Sequence, residues 1–180
     1  MSWQRLDTRI AYENQWIRVR EDQVVKPDGS RGIYGVIEVV NPAVFVVALT
    51  AREEVVLVEL ERYTIGRTSL EVPAGATDGE DPLVAARREL REETGLVAAR
   101  WQQVGEMNAL NGVANAPEVV FLATELSDGG DGDERAEEGI TAVREVPFGD
   151  ALRLIGTGEI VDGETIASLA LAGIALGRFS

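Results

Sequence analysis

Between Asp81 and Gly95 the chain carries punctuation that leaves it little choice but a single helix. Asp81 suits the N-cap, Pro82 the first helical position, and Gly95 the left-handed residue that ends a helix. The stretch Glu71 to Leu96 is expected to be strand, tight loop and helix. At roughly 100° per residue, Glu92 lies about 60° to one side of Glu89 and Glu93 about 40° to the other, so three carboxylates share one narrow face. Leu83, Ala86 and Leu90 fall on the adjoining arc and supply the stripe that packs on a sheet.

A charged helix of this kind is most often a solvated surface. Against that reading, Glu89 and Glu93 are like charges at i,i+4, which costs an isolated helix a few tenths of a kcal/mol unless a cation sits between them. Arg88 can pair with Glu92 at i,i+4 but cannot neutralise all three. Clustered carboxylate oxygens suit Mg²⁺ or Mn²⁺, ions usually completed by the phosphates of a substrate.

Composition narrows the chemistry further. The 180 residues carry a formal net charge of −14, which argues against a polymeric nucleic-acid partner, since backbone binding needs a basic surface. A nucleotide can still be held locally if a divalent cation screens its phosphates. With no cysteine and no histidine, thiol nucleophiles, thiolate zinc sites and histidine bases are excluded. Proton transfer falls to carboxylates, water, Tyr, Lys or Arg. No signal peptide and no apolar run of membrane-spanning length is read, so a cytoplasmic protein with no membrane partner is the expectation.

Gly75, Glu80 and then Arg88-Glu89-Leu90-Arg91-Glu92-Glu93-Thr94-Gly95-Leu96 resemble the Nudix box, G-x5-E-x7-R-E-U-x-E-E-x-G-U with U apolar. The second half matches at every fixed position. The first half is one residue short between Gly75 and Glu80, and a shortened loop is preferred over Asp81 standing in for the first glutamate, because Glu80 keeps its spacing to Arg88. The resemblance implies an α/β fold of the α+β kind, a Nudix-like α/β/α sandwich with mixed sheet and a small N-terminal β-sheet unit. It also implies a metal set of Glu89, Glu92, Glu93 and the Ala74 carbonyl, with Gly75, Glu80 and Arg88 in support.

Residues 1–40 are expected to form the β unit: Trp16 to Arg20 and Tyr34 to Val40 alternate about a turn at Lys26-Pro27-Asp28-Gly29-Ser30. Two strands alone are marginal in water, so the piece needs the main domain or a second chain. In the ADP-ribose and nucleotide-sugar enzymes that this chain resembles, a comparable sheet builds a homodimer, so a homodimer is implied, with residues 41–180 as the hydrolase domain. Trp16 and Tyr34 resemble the aromatics that sandwich the base there; aromatics that merely stabilise a small sheet are the competing view.

Ala43 to Thr50 reads as a central strand, and Glu54 to Arg62 follows as its expected hairpin partner. Further strands are expected within Ala98 to Met107, at Glu118 to Thr124 and at Ile140 to Glu145. Asp150 to Ile155 reads as a short helix and 162–176 as a longer one, with Ile166, Leu169, Ala170 and Ile174 inward. The stretch Ser127 to Gly139 is Gly-rich and acidic, by composition a solvated loop. In the resembling enzymes a loop here brings one more glutamate to the metals, and Glu138 aligns best, with Glu137 its near rival. Arg62 and Glu71 resemble residues that contact substrate, or they form a surface salt bridge between neighbouring strands.

The activity implied is metal-dependent hydrolysis of the diphosphate linkage of a nucleoside diphosphate derivative, ADP-ribose or a nucleotide sugar, to a nucleoside monophosphate and a sugar phosphate. Mg²⁺ or Mn²⁺ is the implied cofactor. The base is Glu138 or a helix glutamate. The loop after the box has Asn111-Gly112 where ADP-ribose enzymes carry a Ser-Pro-Gly-like turn, and its proline comes only at Pro117, so the substrate choice stays open. The alternatives are a nucleoside triphosphate house-cleaning enzyme and a sensor that binds without cleaving.

Overall fold

The computed structural model describes residues 2–130, 135 and 138–179. Glu137 therefore lies outside the described residues. Contacts divide the chain into two units: Met1–Pro42 with Met107–Glu118, and Ala43–Glu106 with Val119–Ser180.

In the first unit, β1 (Gln4–Glu13), β2 (Ile17–Val25) and β3 (Arg31–Val39) form an antiparallel meander. The β2–β3 turn falls where Pro27-Asp28-Gly29 predicts it. Gly29 takes φ 87°, its amide donates to the Lys26 carbonyl at 2.8 Å, and the Asp28 carboxylate accepts from the Ser30 amide at 2.9 Å. Sequence reading found β2 and β3 but not β1, all ten residues of which are exposed. The segment 107–118 belongs here because Ala114–Asn115 (β9) pairs in parallel with β3, and the Tyr34 hydroxyl donates to the Gly112 carbonyl at 2.6 Å.

The second unit holds two more sheets among the described residues. One has the order β7-β4-β10-β8, from Ala74–Ala76, Ala43–Ala48, Pro117–Asp128 and Leu96–Asn108; the other has β11-β5-β6, from Ile140–Pro147, Glu54–Arg62 and Arg67–Glu71. The expected β4–β5 hairpin is not formed. Only the single bridge Leu49 to Val55 joins those segments, because β5 spends its backbone groups on β11 and β6. Both strands are buried on both faces, so side-chain pattern alone could not tell a hairpin from neighbours in two sheets.

Among the described residues three helices complete the unit: α1 (Pro82–Thr94), α2 (Phe148–Thr157) and α3 (Gly163–Ala175). Helices α1 and α3 both pack on β4, giving the α/β/α layering. Ala86 and Leu90 are fully buried from α1 against Val44, Val46, Phe121 and Ala123, and Leu83 is partly buried at the edge of the same cluster. Burying a leucine this way stabilises by about 1.5–3 kcal/mol. The inward face of α3 differs from expectation: Thr165, Ser168, Leu169, Ala172 and Gly173 are buried, whereas Ile174 is 64% exposed. Small residues let the helix approach closely, and the Thr165 hydroxyl accepts the buried Val72 amide at 3.1 Å.

Candidate active site

Helix α1 ends as its residues dictate. The Asp81 carboxylate accepts from the Leu83 amide at 2.9 Å, and Gly95, at φ 75°, donates to the Arg91 carbonyl at 2.8 Å. These caps fix the register of the acid face. Glu89 and Glu93 are each only 4% exposed, and with the exposed Glu138 they bring carboxylate oxygens within 4.8 Å of one another. Glu92, on the same face, is half-buried and lies apart from that group, its carboxylate paired with Arg88 at 3.0 Å.

Arg88 is shared widely. Its guanidinium donates to Glu89 at 2.8 Å, Glu92 at 3.0 Å, Glu80 at 3.2 Å and the Ala76 carbonyl at 2.9 Å. Asp81 is occupied as the cap, and from the loop Glu80 bonds this arginine, with Asp78 farther off at 4.0 Å. The loop turns through Asp78 and Gly79, both at positive φ, with the Glu80 amide donating to the Thr77 carbonyl at 2.8 Å.

Gly75 is required by contact. A Cβ there would lie 2.1 Å from Glu89 Oε1, so any side chain would push that carboxylate out of place. The neighbouring Ala74 amide donates to Glu93 Oε2 at 3.0 Å, which ties strand β7 to the helix.

Burial, reinforced by the hydrogen bond and charge of Glu138, pushes Glu93 up to about 10, and burial followed by the partial relief of Arg88 and the repulsion of Glu138 leaves Glu89 at about 7. One guanidinium divided among Glu80, Glu89 and Glu92 does not compensate the set. Converging acceptors with too few protein cations are the donor set that a hard divalent ion satisfies, so the residues present fit such a metal.

Arg62 and Glu71 form a two-pronged ion pair, with contacts of 2.5 and 3.0 Å between strands β5 and β6. Glu71 is buried and Arg62 half-exposed. Trp16 and Tyr34 belong to the other unit. Trp16 is 65% exposed, whereas Tyr34 stands edge-on to Trp3, with ring centres 5.3 Å apart.

One contact at the site was not foreseen. The Arg135 Nε–H donates to the main-chain carbonyl of Glu93 at 3.0 Å. The available signal was that Arg135 is the sole basic residue between Ser127 and Gly139.

Comparison with known proteins shows the family. A family model described as "NUDIX domain" matches residues 40–169, and one described as "Nucleoside diphosphate sugar hydrolase N-terminal domain" matches residues 3–37. The chain is 36% identical over 158 residues to an ADP-ribose pyrophosphatase of Mycobacterium tuberculosis, covering 87% of this chain and 73% of that protein. It is 36% identical over 127 residues to a GDP-mannose pyrophosphatase of Yersinia pestis, covering 67% of this chain and 64% of that one. A crystal structure of an ADP compounds hydrolase superposes with a TM-score of 0.86 over 99% of this chain and 96% of that chain, at 19% identity, and shows the shared fold.

Proposed function

Since the chain belongs to the NUDIX family and is a phosphoanhydride hydrolase, we propose that it cleaves the diphosphate of ADP-ribose or a nucleotide sugar to a nucleoside monophosphate and a sugar phosphate. The observation that carries this reading is the convergence of Glu89, Glu93 and Glu138 with too little protein cation to balance them.

In this reading Glu89, Glu92, Glu93, Glu138 and the Ala74 carbonyl hold Mg²⁺ or Mn²⁺. When bound, the ion offsets the charge of the diphosphate and makes water more acidic. The chain supplies the rest. Capped helix α1 and the Gly75 contact hold the carboxylates fixed, so they cost no reorganisation during reaction. Water oxygen attacks phosphorus, the bridging P–O bond breaks toward the leaving phosphate, and the water proton passes to a carboxylate oxygen. Glu138, exposed beside the buried pair, is the assigned acceptor, with a helix glutamate as its rival.

Arg62, already aligned by Glu71, reaches phosphate or ribose with its exposed side, as a preformed fork does well. Trp16 and Tyr34 stack the base, at about 1–3 kcal/mol per base. The exposed Trp16 is the freer of the two, because Tyr34 is also tied to Trp3 and Gly112.

Residues 1–40 are proposed as a dimerisation element and residues 41–180 as the hydrolase domain. Support comes from Trp3, Leu6, Ile10, Tyr12 and Trp16, apolar side chains left at about half exposure or more on a small sheet. The expected mass in solution is twice 19.4 kDa, and scattering at the single-chain mass would remove the dimer. Among the described residues no helix is long and apolar enough to cross a membrane, and a cytoplasmic location is proposed alongside.

The deciding experiment is product analysis of ADP-ribose, GDP-mannose, a UDP-hexose and oxidised nucleoside triphosphates, each with Mg²⁺ and with Mn²⁺. A nucleoside monophosphate with a sugar phosphate is expected. Pyrophosphate from the triphosphates alone would point to a house-cleaning enzyme, and no product from any of them to a binding protein.

A further inference from the structure

We propose that Arg135 is a positioning residue of this active site, fixing by its bond to the Glu93 carbonyl where the Glu138 carboxylate stands. The inference rests on the assignment of Glu138 above. The last carbonyls of a helix have no partner inside it and carry the negative end of its dipole. At the end of α1, the Arg91 carbonyl is taken by the Gly95 amide and the Gly95 carbonyl by the Gly129 amide, each at 2.8 Å. The Glu93 carbonyl is taken by the Arg135 guanidinium at 3.0 Å.

Arg135 is also held from its other side. Its own carbonyl accepts the Ile140 amide at 2.9 Å, at the first residue of strand β11. Glu138 thus stands in sequence between Arg135, which is bonded to the helix, and Ile140, whose amide is bonded to Arg135. The bond to the helix is on Glu93, the residue whose carboxylate faces Glu138. One residue therefore offers its carboxylate to the site and its carbonyl to Arg135, so the placement of Arg135 and the site geometry are set by the same point. A lysine keeps the charge but loses the Nε–H fixed in the guanidinium plane.

The test uses the full chain with Arg135→Ala, Arg135→Lys, Glu138→Gln and the double variant Arg135→Ala/Glu138→Gln. Turnover of the best substrate, Mn²⁺ affinity by electron paramagnetic resonance without substrate, and hydrogen exchange at the Ile140 amide are measured. Arg135→Ala is expected to lower kcat and weaken Mn²⁺ binding, each by about 10–100-fold, with KM for substrate nearly unchanged. Exchange at Ile140 should speed up while α1 stays protected, and Arg135→Lys should recover part of each loss. In the Glu138→Gln background, Arg135→Ala should change kcat less than twofold.

An equal kcat loss in both backgrounds, or a lower melting temperature with unchanged Mn²⁺ affinity, makes Arg135 a helix-end stabiliser only and overturns the proposal. Unaltered turnover and affinity in Arg135→Ala, with Glu138→Gln impaired, also overturns it and leaves the site reading standing. Wild-type turnover in Glu138→Gln removes the assignment of Glu138, and the proposal falls with it.

Discussion

The N-terminal sheet and the acid face of helix α1 bury carboxylates under opposite rules. In the N-terminal sheet, Asp22 is buried beside the Thr8 hydroxyl and the Arg20 guanidinium, which hold it below its ordinary value. Its neighbours are paired as well: Glu38 with Arg20 at 3.0 Å, Glu21 with Arg9 at 3.0 Å, and Glu13 with Arg18 at 2.5 Å. On helix α1, Glu89 and Glu93 are equally buried, yet they face each other and Glu138, and both are pushed up. Where the chain supplies a cation, a buried acid is a structural part. Where it gathers acids beyond its own cations, the missing charge must come from outside.

The largest effect should come from Glu93→Gln. It is expected to lower kcat at least about 100-fold, while the metal-free protein melts no lower than wild type, since glutamine removes the cost of holding that buried acid protonated. Gly75→Ala should follow, with a loss of about 10–100-fold in kcat, because its Cβ displaces the Glu89 carboxylate. Asp22→Asn should do the reverse of Glu93→Gln, leaving kcat near wild type and costing about 1 kcal/mol in urea unfolding. If Glu93→Gln destabilised and Asp22→Asn did not, the distinction between the two kinds of buried acid would be lost.

The pH dependence sharpens the same contrast more gently. Glu89 and Glu93 titrate from 4.5 in an unfolded chain to about 7 and about 10 in the fold, so across that window the folded metal-free protein keeps protons the unfolded one has lost. Its stability contribution from these groups is full below 4.5 and declines as pH rises. Asp22, shifted down, acts in the other sense and loses its contribution on acidification. Added Mg²⁺ should therefore raise the melting temperature more at pH 8 than at pH 5 in wild type, and the pH dependence should flatten in Glu93→Gln.

Helix α1 was legible from sequence because its signals are local: Asp81, Pro82 and Gly95 set its ends, and Leu90 and Glu93 set its faces within two turns. The β2–β3 turn was legible for the same reason. What escaped depends on distant partners. Strand β1 has all ten residues exposed and irregular register at two places, so no alternation marks it. The β4–β5 arrangement is settled by competition from β6 and β11. On α3, Thr165 faces inward because the Val72 amide, far away in sequence, needs an acceptor. At the site, the pairing of Glu89 with Glu93 followed from spacing, but the half-buried position of Glu92 follows from its bond to Arg88, and the Arg135 contact spans 42 residues.

The most direct test is the anomalous scattering of manganese in a crystal grown with Mn²⁺ and a non-hydrolysable analogue of ADP-ribose. Peaks bounded by the carboxylates of Glu89, Glu93 and Glu138, with the diphosphate completing them, are predicted. Ordered carboxylates with no manganese among them, in a crystal where the analogue is bound, would contradict the account.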